Sequence, residues 1–252
     1  MSSILNKTVF CVSDDPLGVS TQRLPTAFLK SSEMTPSGRD TVSFLKTGEY
    51  PDEKGLLTSY DEIKDKLEIK PTIVVFGKEV HQRRDVGFFS DSSVGYKYSN
   101  KLMKSKPLTP NLKKILEYVN TALSTHEMKV NFNGILINRY EYSDSIGPHS
   151  DDETDLDSIG VFSITFYINS KREEGFSERI FRIKTKKEMY ITQEGETKQY
   201  DAKETVLDIT TKHMMTMLMG GKDFQKLFTH EVPPRLKSKG TRISYTFRSH
   251  KK

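Results

Sequence analysis

The 252-residue chain carries 39 basic and 34 acidic side chains, a formal charge of +5 and a pI near 9.0, with 35% hydrophobic and 29% charged residues. That length allows one or two domains, a single large β-rich one included, and 14 Phe with 11 Tyr supply core bulk in the absence of Trp. One cysteine, Cys11, excludes an internal disulfide and a thiolate metal cage; no run of 18 apolar residues offers a membrane span; and the positive balance favours an anionic partner such as nucleic acid.

Residues 1–57 are rich in Ser, Thr, Pro, Gly and Lys, with turn clusters TPSGRD and GEYPDEKG. This stretch is expected to be a partly irregular N-terminal extension, with the principal domain over 58–252. It lacks the basic start and apolar run of a signal peptide, and the lone cysteine suits a reducing, intracellular setting. SYDEIKDKLE (59–68) predicts a short helix, with Ser59 and Glu62 at capping-box spacing. PTIVVFG (71–77) is β-branched and predicts a strand. DVGFFSDSSVGYKYS (85–99) is aromatic and rich in turn residues. TPNLKKILEYVNTAL (109–123) predicts a helix capped by Thr109, with Leu112, Ile115, Leu116 and Val119 on one face. Beyond it NGILINRYEY, IGVFSITFYI, ERIFRIKTK, EMYITQ, KHMMTMLMG, LFTHEVP and TRISYTFRS are strand candidates between turns. Their succession predicts a mainly β sandwich or barrel with flanking helices.

Chemistry concentrates in IGPHSDDETD (146–155), where one histidine stands among acids. If this stretch is extended, His149 and Asp151 leave the same face. One imidazole and one carboxylate are two members of a 2-His-1-carboxylate set, which leaves positions open on Fe(II). The alternative is a solvated acidic turn, and that reading is kept for Asp155 and Asp157. His126 and His250 fall in polar surroundings, and His213 opens a strand. His230 ends a short apolar strand before Pro-Pro and is the best third ligand. In TRISYTFRS, Ile243, Tyr245 and Phe247 alternate with Arg242, Ser244, Thr246 and Arg248. Along a straight strand the two guanidiniums stand about 20 Å apart, so joint work on one small ligand needs long side chains that lean together. Asn138 and Tyr140 share a face just upstream of His149. A polar face of this composition inside an apolar barrel suits a small dicarboxylate, which arginine grips in fork geometry.

Taken together, NRY, IGPHSDDE, FTHEVP and TRISYTFR resemble the AlkB family of Fe(II)- and 2-oxoglutarate-dependent dioxygenases. That family shows N-x-Y, H-x-D, a distant His and R-x5-R, all present here in order. The likeness extends back through VVFGKEVHQRRDVGFFSD and GYKYSN, over roughly 71–250. It implies a double-stranded β-helix (jelly-roll) core, with a nucleotide-recognition segment over 77–106. It implies Fe(II) on His149, Asp151 and His230. It places 2-oxoglutarate on Arg242, Asn138 and Tyr140 at its far carboxylate and on Arg248 at the carboxylate near the metal, with Ser244 and Thr246 between. The family often has Asn where Ser244 stands. MGGKDFQKLFTH resembles the Gly-rich turn leading to the third ligand. The implied reaction uses O2 to hydroxylate an N-methyl group, whose hemiaminal releases formaldehyde.

For the substrate, the resemblance implies a flipped base held against the metal-ligand histidine, with Tyr98 stacking, Tyr96 as a polar neighbour, and Glu153 or Asp152 at the exocyclic nitrogen. Plain strand packing is the alternative for both tyrosines. Gln82, Arg83 and Arg84 are candidates for the phosphate backbone, extended by Lys101, Lys104 and Lys106. The expected partner is nucleic acid, DNA or RNA, bound by a monomer with no membrane involved. Repair of 1-methyladenine or 3-methylcytosine is the leading expectation. Demethylation of N6-methyladenine in RNA follows, then a protein oxygenase, then a non-catalytic nucleic-acid-binding module on the same fold.

Overall fold

The computed structural model describes residues 9–14, 42–75, 77–98, 101–124, 131–153, 156, 160–168, 176–186, 189–191, 197–199, 205–220, 224–236 and 239–250. Strands β1 (Val9–Asp14) and β2 (Val42–Glu49) precede helix α1 (Glu53–Asp61). Then come β3 (Thr72–Val75), β4 (Lys78–His81), β5 (Asp85–Phe89), β6 (Gly95–Tyr98) and β7 (Lys101–Lys104), followed by helix α2 (Pro110–Ser124). The β-rich part holds β8 (Gly134–Tyr140), β9 (Ile146–His149), β10 (Gly160–Ile168), β11 (Ile180–Thr185), β12 (Met189–Ile191), β13 (Thr197–Gln199), β14 (Thr205–Thr210) and β15 (Met215–Gly220). A single-turn helix, α3 (Phe224–Leu227), leads into β16 (Phe228–Val232), and β17 (Thr241–Arg248) completes the sheets.

Two sheets face each other. The larger runs β1-β2-β15-β10-β17-β8-β5 and the smaller β14-β11-β16-β9. All their pairings are antiparallel except β1 with β2. This is the expected jelly-roll core. Period-two alternation divides each long strand between two environments. On β17, Ile243, Tyr245 and Phe247 pack with Ile135, Ile137, Phe162, Ile164 and Phe166 under α1 and α2. The opposite face of the large sheet meets the small one through Leu45, Val161, Met217 and Met219 against Phe181, Ile183, Phe228 and Val232. Gly160 opens β10 at φ +146°, where an added Cβ would lie 2.8 Å from the Met219 carbonyl, so the β10–β15 register needs a glycine there.

The helix expected over 59–68 begins earlier. Asp52 caps α1, its carboxylate accepting from the Gly55 N–H at 2.8 Å, and a 3-10 turn over Lys64–Lys66 follows. Ser59 is no cap: its hydroxyl donates to the Leu56 carbonyl at 2.8 Å and shares a 3.0 Å hydrogen bond with the Tyr245 hydroxyl. The expected boundary at 57/58 therefore falls inside α1, and β2 is an interior strand of the large sheet. Turn residues around VSFLKTGE masked its strand pattern. Helix α2 matches its expectation: Thr109 Oγ1 accepts from the Leu112 N–H at 3.3 Å, and Leu112, Ile115, Leu116 and Val119 are buried. Within PTIVVFG, Thr72–Val75 form β3, which among the described residues pairs only with β4 in a largely exposed hairpin; β6 and β7 form a second. Among the described residues no helix is long and apolar enough to cross a membrane.

Candidate metal centre and dicarboxylate pocket

Strands β9 and β16 are neighbours, with His149 directly opposite His230. Their ring centroids lie 4.2 Å apart, and Phe181 stacks on His230 at 5.3 Å. Asp151 follows just past the end of β9. Its backbone N–H donates to Gln225 Oε1 on α3 at 2.9 Å, and Ser150 donates to the Phe228 carbonyl at 3.1 Å. These bonds turn the Asp151 carboxylate inward, 3.6 Å from His230 Nε2 and 4.0 Å from His149 Nε2. One ligand atom from each of the three lies within 4.8 Å of the others.

The protonation states suit a cation. His149 Nδ1 lies 2.9 Å from the Gly147 carbonyl, so Nδ1 carries the hydrogen and Nε2 keeps its lone pair. Burial, then the neighbouring His230, bring the His149 pKa down to about 3, and burial lowers that of His230. Burial works to raise the Asp151 carboxyl, but Arg248, at 2.7 Å, and the two histidines hold it well below the ordinary carboxylate range. Asp151 Oδ2 is buried without a hydrogen-bond partner. Two neutral imidazoles and an ionised carboxylate with an unused oxygen fit Fe(II), with coordination positions to spare.

The adjoining cavity, about 50 Å3, is lined by both sheets. Asn138, Tyr140, Arg242, Ser244, Thr246 and Arg248 all line it. Arg242 lies 5.2 Å from the Tyr140 ring centroid and donates to Thr165 Oγ1 at 2.9 Å. Arg242 Nε and Arg248 Nε and Nη1 are buried without acceptors. Donors left over on two arginines, six residues apart on one strand, call for an anion with a carboxylate at each end. The strand spacing that separates the guanidiniums thus becomes the spacing of a dicarboxylate site. Thr165 and Ser163 had no expected role. Their signal was two hydroxyls at alternate positions in the apolar run of β10.

The substrate-side expectations divide. Tyr96 is buried at the cavity, 4.8 Å from the Arg248 guanidinium, and donates to Glu153 Oε1 at 2.6 Å. Burial pushes the Tyr96 phenol and the Glu153 carboxyl up. Asp152 is corrected: it is exposed and pairs with Lys186 at 2.8 Å, because alternation along the chain turns it opposite to Asp151 and Glu153. Arg84 is also corrected. It is no surface phosphate contact but a cavity wall, its Nε donating to Asn138 Oδ1 at 2.8 Å. Gln82 is buried beside it, and Arg83 alone of the three is exposed. The Tyr98 side chain, Asp155, Asp157 and His126 lie outside the described residues. His213 instead joins Glu53 at 2.9 Å, and His250 packs on Phe88 at 4.9 Å.

Comparison with known proteins agrees with this geometry. Residues 52–248 match the 2OG-Fe(II) oxygenase superfamily. The chain belongs to that superfamily, whose cofactors are Fe(II) and 2-oxoglutarate. The chain is 31% identical over 195 residues to the DNA oxidative demethylase ALKBH2 of Arabidopsis thaliana, a likeness in line with the AlkB resemblance of the motifs. That match covers 71% of this chain but 57% of the relative, so the chain spans little more than half of the plant protein's length. Among solved structures, OsALKBH1 aligns at TM-score 0.48 and 13% identity, over 81% of this chain and 97% of that one. A Pseudomonas putida prolyl-4-hydroxylase aligns at TM-score 0.47 and 10% identity, over 82% and 92%.

Proposed function

We propose that this protein demethylates N-alkylated bases in nucleic acid, of the 1-methyladenine and 3-methylcytosine repair type. The observation that carries the reading is Tyr96, a recognition-segment phenol buried against Arg248 and bonded to Glu153, two residues from Asp151. An aromatic ring and a carboxyl beside the metal ligands suit a planar heterocycle with an exocyclic nitrogen. The name of the Arabidopsis relative, a DNA oxidative demethylase, supports the same substrate class, as does the net charge of +5.

His149, Asp151 and His230 would hold Fe(II), which when bound would supply the O2- and 2-oxoglutarate-dependent hydroxylation of the N-methyl carbon. The chain does the rest. Arg242, beside Thr165 and Tyr140, receives the far carboxylate of the cosubstrate, and Arg248 meets the nearer one. Leu136, Ile146, Phe181, Met219 and Val232 wall the cavity with apolar surface and exclude bulk water. Glu153 offers the base an acceptor when ionised and a donor when protonated.

The test incubates purified protein with Fe(II), ascorbate, 2-oxoglutarate and matched DNA and RNA oligonucleotides bearing 1-methyladenine, 3-methylcytosine or N6-methyladenine. Formaldehyde release with a loss of about 14 mass units, one CH2, on the first two is the expected result. Loss confined to N6-methyladenine in RNA replaces this reading with the RNA-mark one. Consumption of 2-oxoglutarate with no oligonucleotide changed removes both.

A further inference from the structure

Arg179 belongs to neither the metal set nor the cavity lining, yet it is one of the most deeply buried side chains, 2% exposed just before β11. Its Nη1 donates to the Tyr142 carbonyl at 3.0 Å, and its Nη2 to the carbonyls of Asp144 and, at 3.1 Å, Pro233. Its backbone N–H donates to the Tyr167 hydroxyl at 2.8 Å, and its own carbonyl accepts from the Thr211 hydroxyl at 2.8 Å. One residue thus joins the turn between β8 and β9, the segment after β16, strand β10 and the end of β14. The first two carry His149 and His230 to the metal centre.

The guanidinium's partners are all neutral carbonyls. Among the described residues no carboxylate forms an ion pair with it. The Asp144 carboxylate is engaged by Lys70 at 2.8 Å, and Arg179 Nε is buried without a partner. A buried guanidinium is ordinarily matched by an acid. Arg242 stands at the same end of the barrel. In register it lies opposite Tyr140 on β8 and Tyr167 on β10, Tyr167 holds Arg179, and Tyr142 lies two residues past Tyr140. After burial, Arg242 is the largest influence lowering the Arg179 pKa. Among the described residues the acid that influences Arg179, Asp144, is taken by Lys70, and neither Arg179 nor Arg242 is paired to a carboxylate.

We propose that Arg179 is a positioning residue for the cosubstrate: the missing counter-charge is the far carboxylate of the dicarboxylate, which Arg242 receives directly and Arg179 attracts through its field while its carbonyl fork fixes the β8–β9 turn. This rests on the 2-oxoglutarate site proposed above.

The test measures binding of 2-oxoglutarate and of pyruvate, which lacks the far carboxylate, by calorimetry on the full chain loaded with Mn(II). The variants are Arg179→Gln, neutral but still a donor, and Arg179→Lys, which keeps the charge. Arg179→Gln is expected to weaken 2-oxoglutarate by roughly tenfold and pyruvate far less, with Arg179→Lys recovering much of the preference for the dicarboxylate. A purely structural role lowers the thermal midpoint and leaves that preference untouched, which overturns the proposal, as does equal loss for both acids. Should Arg179→Gln not fold, Arg179→Lys must still gain thermal stability from 2-oxoglutarate and not from pyruvate; failure there also overturns it. A wild-type chain that binds no 2-oxoglutarate is a different result, and it defeats the functional reading instead.

Discussion

Asp151 serves two masters, the metal site and Arg248, and this sets what its loss does. Asp151→Ala is expected to abolish metal binding and turnover. It also leaves the Arg248 guanidinium buried without its 2.7 Å partner, so the metal-free variant should lose roughly 3 kcal/mol in urea unfolding relative to the metal-free wild type. An unchanged midpoint would show that the pair contributes nothing to the fold. His149 makes the pH behaviour predictable. Its pKa is about 3 when folded against 6.5 ordinarily, so between those values the unfolded chain takes up a proton that the folded chain refuses. Stability is therefore full above pH 6.5 and declines as pH falls toward 3. Asp151, held low in the fold, adds a further loss below the ordinary carboxylate range. Thermal midpoints across this range should slope in the wild type and flatten in His149→Asn.

Elements whose pattern was local were readable in the sequence, and those decided by partners were not. The alternation of β17 and the face of α2 follow from spacing alone, so the two arginines of the cavity wall and the helical core residues were legible. So were the three metal ligands, through the family resemblance. Strand β14, an exposed edge, has no clean apolar alternation to announce it. Arg84 read as a phosphate contact and Asp152 as a contact to the base, because only the fold shows that one meets Asn138 and the other Lys186. The start of α1 was misplaced because Ser59 mimics a cap. The two residues should fail differently. Asp52→Ala removes a true cap and costs about 1 kcal/mol. Ser59→Ala leaves the buried Tyr245 hydroxyl without its 3.0 Å partner and costs roughly 1–3 kcal/mol. Helix content by circular dichroism should drop slightly in the first, while the second should change Tm alone.

On the scale of the whole molecule, the two sheets hold different halves of the chemistry. The smaller supplies both metal-binding histidines from β9 and β16, and the larger supplies the arginines from β17. Metal and 2-oxoglutarate, each at about 100-fold its Kd, should each add about 2.7 kcal/mol of stability, read as successive rises in Tm. A chelator should reverse the first. The cavity between the layers is where this sandwich has no side chain of its own to complete its packing. A guest that reaches from the iron to Arg242 is therefore a rivet driven through both plates. Amide hydrogen exchange should slow in β16 and in β17 together when the guest binds, although no hydrogen bond of either ladder has changed. An enzyme built this way is at its stiffest at the moment it is charged for turnover.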